Sequence, residues 1–122
     1  MEFSFEKLRA WQKARLWVKE IYLITQAFPV EERYGLTNQL RRAAVSVASN
    51  LAEGNGRQSE KDRAHFCNLA FSSLLEALNQ CILANDLGYL SPEKLLLLRQ
   101  SSDELARLIA GLRNFHQRPK QN

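Results

Sequence analysis

Apolar residues recur along most of this chain at alternating spacings of three and four, the period that gathers them on one side of an α-helix. From about residue 8 to residue 28 the row is Trp11, Ala14, Val18, Ile21, Thr25 and Phe28. Pro29 closes that segment, because proline has no N–H to continue the ladder. After a short connection, a second row over about 36–53 contains Leu36, Leu40, Ala43, Val47 and Leu51. Gly54-Asn55-Gly56 then reads as a break. Ser59 is placed to cap a third helix, with Glu60 and Asp62 in its first turn. Its inward residues are Phe66, Leu69, Ala70, Ser73, Ala77, Cys81 and Ala84, and Gly88 ends it. Ser91-Pro92-Glu93 combines an N-cap, a proline at the first helical position and an acid in the first turn, a strong start signal. The fourth row is Leu95, Leu98, Ser102, Leu105, Ile109, Leu112 and His116, and the basic tail from about 117 to 122 is expected to fray. Nothing reads as a strand. Four long helices with short connections predict an all-α, antiparallel up-down-up-down four-helix bundle, one domain over 1–122.

The pattern holds more apolar surface than one bundle requires. The third helix carries a second row, Phe71, Leu75, Leu78 and Ile82, centred ~150° from its core row at ~100° per residue. The first helix sets Leu16 and Leu23 nearly opposite its seam, flanked by Trp17 and Ile24. The second sets the small residues Val45, Ala48 and Ala52 behind its core. An unusually wide core accounts for some of this. An ordered second row on so long a helix instead predicts self-association through Leu16, Leu23, Phe71, Leu75, Leu78 and Ile82.

Charge changes the picture only modestly. The 122 residues carry 17 Lys and Arg against 13 Asp and Glu, a net +4, which permits a polyanionic partner without demanding one. No uninterrupted apolar run approaches the roughly 20 residues of a membrane span, so no membrane association is expected. Met1-Glu2-Phe3-Ser4-Phe5-Glu6 has neither the basic nor the apolar part of a signal peptide, so the cytoplasm is the expected location. Cys67 and Cys81, fourteen residues apart on one helix, would stand ~21 Å apart, too far for a disulfide. They are expected to be small buried hydrophobes.

The string Arg33-Tyr34-Gly35-Leu36-Thr37-Asn38-Gln39-Leu40-Arg41-Arg42-Ala43-Ala44-Val45-Ser46, continued by Ser49-Asn50-Leu51-Ala52-Glu53-Gly54, closely resembles the signature of the bacterial 23S rRNA intervening-sequence proteins, also called S23 proteins. The resemblance extends to Trp11-Gln12-Lys13-Ala14, to Phe66, Ala70, Ser73, Leu74 and Glu76, and to Leu87-Gly88-Tyr89-Leu90, so it covers nearly the whole chain. It implies a four-helix bundle without an established activity. The chain is also similar to the accessory protein of diversity-generating retroelements, a homopentameric ring of such bundles that binds nucleic acid together with a reverse transcriptase. That similarity implies a homo-oligomer, a pentamer, with the extra apolar rows as ring contacts. Ala48 stands where many members carry proline and Ser72 where many carry glycine, so the bend that proline imposes on the second helix is not expected here.

Catalytic chemistry is scarce. Asp62-Arg63-Ala64-His65 is a lone carboxylate-x-x-His, whereas a di-iron bundle needs such a motif on two helices plus further inward glutamates. His65 and His116 lie on different helices, and Cys67 points ~200° from His65. Gly54-Asn55-Gly56 lacks the third glycine and the preceding strand of a dinucleotide fingerprint. Asn50, Glu53 and Glu76 are expected in a buried polar network. No catalytic, metal or cofactor site is therefore expected. The suggestive charges are Arg41, Arg42, Arg57, Lys61 and Arg63, clustered by sequence around the second helix and the start of the third. No aromatic platform for bases is evident, so binding to nucleic-acid backbone and shape is expected. The resulting expectation is a non-enzymatic homo-oligomer that binds structured RNA or DNA through repeated basic patches. The rival is a protein-interaction scaffold that recruits a protein partner.

Overall fold

The computed structural model describes residues 1–119 and contains four α-helices: α1 (Arg9–Thr25), α2 (Leu36–Asn55), α3 (Glu60–Asp86) and α4 (Pro92–Gln117). Short 3-10 turns at Ser4–Lys7 and Val30–Glu32 precede α1 and α2. Consecutive helices pack together and α4 closes against α1, while the diagonal pairs α1–α3 and α2–α4 make no backbone approach. This is the up-down-up-down bundle. Gln117 is the last residue of α4; of the tail expected to fray from about 117, residues 120–122 lie outside the described residues.

The caps read from the sequence are in place. Ser59 Oγ accepts the Asp62 N–H at 3.0 Å, and Ser91 Oγ accepts the Lys94 N–H at 3.2 Å. Two ends differ from expectation. α1 stops at Thr25, because the N–H groups of Gln26, Ala27 and Phe28 tighten onto the carbonyls three residues back. α2 runs through Gly54 to Asn55 instead of breaking there. Gly54 is buried against α3, and a Cβ built on it would lie 2.5 Å from Phe66 Cβ. The glycine is thus a point of close helix approach, not a helix stop. With Ala48 in its interior, α2 carries no proline.

Which residues fill the core departs from the predicted rows in an informative way. The buried face of α1 is Ala10, Ala14, Trp17, Ile21 and Thr25; Trp11 is only half-buried, its ring edge-on to Phe5 at 5.0 Å. Trp17, expected on the outer face, is 1% exposed, and its Nε1–H donates to Ser102 Oγ on α4 at 3.0 Å. A buried indole needs an acceptor, and the core serine supplies it. On α3 the core row is Ala64, Cys67, Ala70, Leu74, Ala77, Cys81 and Ala84, while Leu69, expected inside, is exposed. Small residues on this row let the neighbouring helices come close. By length and composition alone α3 would be apolar enough to cross a membrane, contrary to the run-based expectation, because its second row adds to the first. Within the bundle it packs between α2 and α4.

Gly54→Ala should therefore cost about 1–3 kcal/mol by overpacking the α2–α3 contact. Gly111→Ala, on an open face of α4 with nothing within 4 Å of an added Cβ, should stabilise by roughly 0.5–1 kcal/mol. Urea denaturation of both variants checks the pair. Equal effects would show that Gly54 is not a packing contact.

Candidate nucleic-acid interface

The five candidate cations do not form one cluster. Arg41 and Arg42 lie in the N-terminal half of α2, whereas Arg57, Lys61 and Arg63 lie beyond its C-terminal end, ~20 Å away at 1.5 Å per residue. The second group is largely engaged internally. Arg63 Nη1 reaches Glu60 Oε1 at 3.1 Å, and its Nε donates to the Arg57 carbonyl at 2.7 Å. Arg57 Nη2 stands 3.7 Å from Asp62 Oδ2, with its guanidinium over the Phe66 ring. Lys61 is exposed and borders a groove with His65, Asn68 and His116. Three cations beside two carboxylates leave little net field.

The first group is different, since no carboxylate pairs with either arginine among the described residues. Arg41 is half-buried and acts on its own fold: Nε donates to Thr25 Oγ1 at 2.8 Å, Nη2 to the Tyr22 carbonyl at 3.4 Å, and the guanidinium lies 4.6 Å from the Tyr22 ring centroid. It fastens the end of α1 to the start of α2. Arg42, one residue on, faces outward and is exposed. Two grooves flank it. One, between α1 and α2, is lined by Tyr22, Asn38, Arg41, Arg42, Val45 and Ser46. The other, between α2 and α3, is bordered by Tyr34, Asn38, Gln39, Arg42, Ser46 and Glu76. Tyr34 is 87% exposed. An aromatic surface therefore does sit beside the basic residues, contrary to the expectation that none was present. Tyr34 precedes α2 in a turn, where no periodicity reports which way a side chain faces.

What lies beneath these residues is structural. The carboxylate of Glu32 sits at the N-terminus of α2, accepting the Leu36 N–H at 3.1 Å on Oε1 and the Tyr89 hydroxyl at 3.1 Å on Oε2. A Cβ at Gly35 would meet that Oε1 at 2.7 Å, so glycine leaves room for the cap. The hydrogen bond to Glu32 holds the Tyr89 hydroxyl above the usual tyrosine range. The expected polar network exists in part: Asn50 Nδ2 donates to the Ser46 carbonyl and Oγ, and Ser46 Oγ meets Ser73 Oγ at 2.9 Å. Glu53 and Glu76, expected within it, are exposed instead.

The expected interface residues divide. Leu16 (64%), Leu23 (58%) and Leu75 (52%) are exposed. Phe71, Leu78 and Ile82 are half-buried, and Phe71 and Ile82 pack against the core, since α3 has a neighbour on each side, α2 and α4. Leu69, Leu83, Leu87, Leu96 and Leu97 add exposed apolar surface on α3, the turn after it and α4 that the sequence did not single out.

No group of three or more potential metal ligands occurs among the described residues. Cys67 and Cys81 are free and buried; burial raises both thiols, Cys81 to about 12 with Glu20 adding to the effect. His116 Nδ1 lies 3.0 Å from Glu60 Oε2, joining the end of α4 to the start of α3. That hydrogen bond is the main reason the Glu60 carboxyl titrates below its ordinary value of 4.5.

Residues 6–111 match the family described as 23S rRNA-intervening sequence protein. Among solved structures, the chain is similar to a protein of unknown function from the S23 ribosomal protein family of Bacteroides thetaiotaomicron. The TM-score is 0.75 at 19% identity, covering 84% of this chain and 96% of that one. A comparison with curated proteins finds no match.

Two outcomes follow from the titrating groups. Glu60 has a lowered folded-state value, so its contribution is complete above 4.5 and is lost as pH falls through the lower folded value. Thermal midpoints taken on the acid side should fall less steeply for Glu60→Gln than for the parent; parallel curves would remove the His116–Glu60 contact from the stability of this end. Both thiols, held protonated and covered, should resist iodoacetamide at about pH 8 and react fully in denaturant. Rapid labelling of the folded chain would contradict the buried placement.

Proposed function

Because this chain belongs to the 23S rRNA-intervening sequence protein family, and no catalytic constellation is recognisable among the described residues, we propose that it works by binding. In this reading it is a cytoplasmic, non-enzymatic homo-oligomer that holds nucleic acid through basic patches repeated around the assembly. The observation that carries the reading is Arg42: an exposed guanidinium without a carboxylate partner among the described residues, on the ridge between a mainly apolar groove beside α1 and a mainly polar one beside α3. Arg33 and Arg41 add charge at the same end of α2, where Glu31 and Glu32, and Glu76 across the groove, offset part of it. A net +4 is weak for one copy, but several copies present the patch several times, and linked weak contacts multiply. The exposed Leu16 and Leu23, one heptad apart on α1, and Leu75 on α3 support self-association. The similarity to pentameric ring-forming bundles makes five subunits the expected number.

The rival reading, a scaffold for a protein partner, is favoured by one observation. Arg57 and Arg63 are already occupied by Asp62 and Glu60, so the charged surface is smaller than the sequence suggests.

Fluorescence anisotropy with a structured RNA and a duplex DNA, on nuclease-treated protein whose mass is known from light scattering, separates the two. Affinity should fall steeply as salt rises from about 50 to about 200 mM, by on the order of a hundredfold if several phosphates are neutralised. Arg42→Glu should abolish binding without changing the oligomer, while Leu16→Glu with Leu23→Glu should lower the mass. Failure to bind at low salt would move the assignment to the scaffold. Arg42 is the residue to change, since replacing Arg41 also releases Thr25.

A further inference from the structure

We infer that the surface at the head of α2 takes unpaired nucleic-acid bases, with Tyr34 as the stacking plane and Arg42 as the phosphate contact; this rests on the nucleic-acid reading above and adds selectivity for single strands to it.

Most of the Arg33–Gly54 string is accounted for by the fold. Leu40, Ala43, Ala44, Val47 and Leu51 fill the core, Arg41 ties α1 to α2, and Gly54 admits Phe66. Of the exposed residues that remain, Tyr34, Asn38, Gln39 and Arg42 border the groove of about 500 Å³ between α2 and α3, whereas Arg33, Val45, Ser49 and Glu53 do not. Tyr34 makes no ring contact with another aromatic residue or cation among the described residues, so its faces are open. It is a plane of base size held in water at the rim of a polar groove.

The chemistry around it favours a base over a protein. A surface that docks protein has an apolar centre. Here the ring's groove neighbours are two amides, a guanidinium, a hydroxyl, the Glu76 carboxylate and one apolar residue, the buried Ala43. Asn38 and Gln39 each offer donors and an acceptor, the complement of a base edge. Of the exposed leucines that suit a second copy of the chain, Leu16 and Leu23 are on α1, and Leu75 is on α3 next to Glu76. In a duplex the base faces are hidden by stacking, so a ring can add to binding only where bases are unpaired. Glu76 opposes a phosphate on the α3 side, which leaves the backbone to the Arg42 side of the groove.

The test is anisotropy at fixed salt with a fluorescein-labelled, unstructured RNA of about 20 nucleotides, its DNA counterpart and the matching duplex, using the full chain. The RNA and DNA arms identify which source of unpaired bases is preferred. The single strand should bind more tightly than the duplex. Tyr34→Ala should weaken it on the order of tenfold, with duplex affinity and oligomeric mass unchanged, and Tyr34→Phe should restore it. Arg42→Glu should weaken all three probes. Unchanged single-strand affinity in Tyr34→Ala would overturn the stacking assignment while leaving the nucleic-acid reading intact. A changed mass in that variant would also overturn it, by making Tyr34 a subunit contact. Absence of binding by the parent to every probe would remove the reading beneath it.

Discussion

The close approach of α2 to α3 is the constraint on which the other features depend. At Gly54 the α2 backbone lies directly over the Phe66 side chain, and along its length α2 faces a row on α3 made mostly of alanine and cysteine. Two helices can come this close only where at least one of them has little side chain between the axes. Because α2 is pressed inward, its Ser46 hydroxyl meets Ser73 across the contact, while Asn50 bonds Ser46 within α2. Its outward strip, Asn38, Gln39 and Arg42, is thereby fixed in direction.

Much of the architecture was legible because it rests on local signals. Ser59 and Ser91 cap the helices they were expected to cap, and the period of three and four located all four helices. The choice between Trp11 and Trp17 was not legible. Both lie near the α1 seam, and what brings Trp17 inward is Ser102, 85 residues away and on another helix. A serine on a core row was itself a clue, since a buried hydroxyl requires a partner, but it did not say which indole would answer. Likewise Gly54 looked like a terminator because glycine ends helices often; its role depends on Phe66 across the interface.

The candidate site was legible only in composition. Sequence shows where cations are and hides what neutralises them. For Arg57 and Arg63 the answer was a few residues away, in Asp62 and Glu60, yet only the geometry of the turn shows the pairs forming. Arg41 and Arg42 are neighbours with opposite fates, one spent on Thr25 and Tyr22 and the other facing outward. Tyr34 escaped notice altogether, because a residue in a turn belongs to no helical face and its exposure follows from the path of the loop.

Glu32 has one carboxylate oxygen on each of two chain connections. Oε1 closes the start of α2 and Oε2 holds Tyr89 in the turn between α3 and α4, where Phe28 packs against the same ring at 5.8 Å. The one side chain thus ties the start of α2 to the turn between α3 and α4. At the opposite end Glu60 has the matching role: Oε2 meets His116 at the end of α4, and Oε1 meets Arg63, whose Nε reaches the Arg57 carbonyl in the turn after α2. Each end of the bundle thus has one carboxylate whose two oxygens serve different segments of chain.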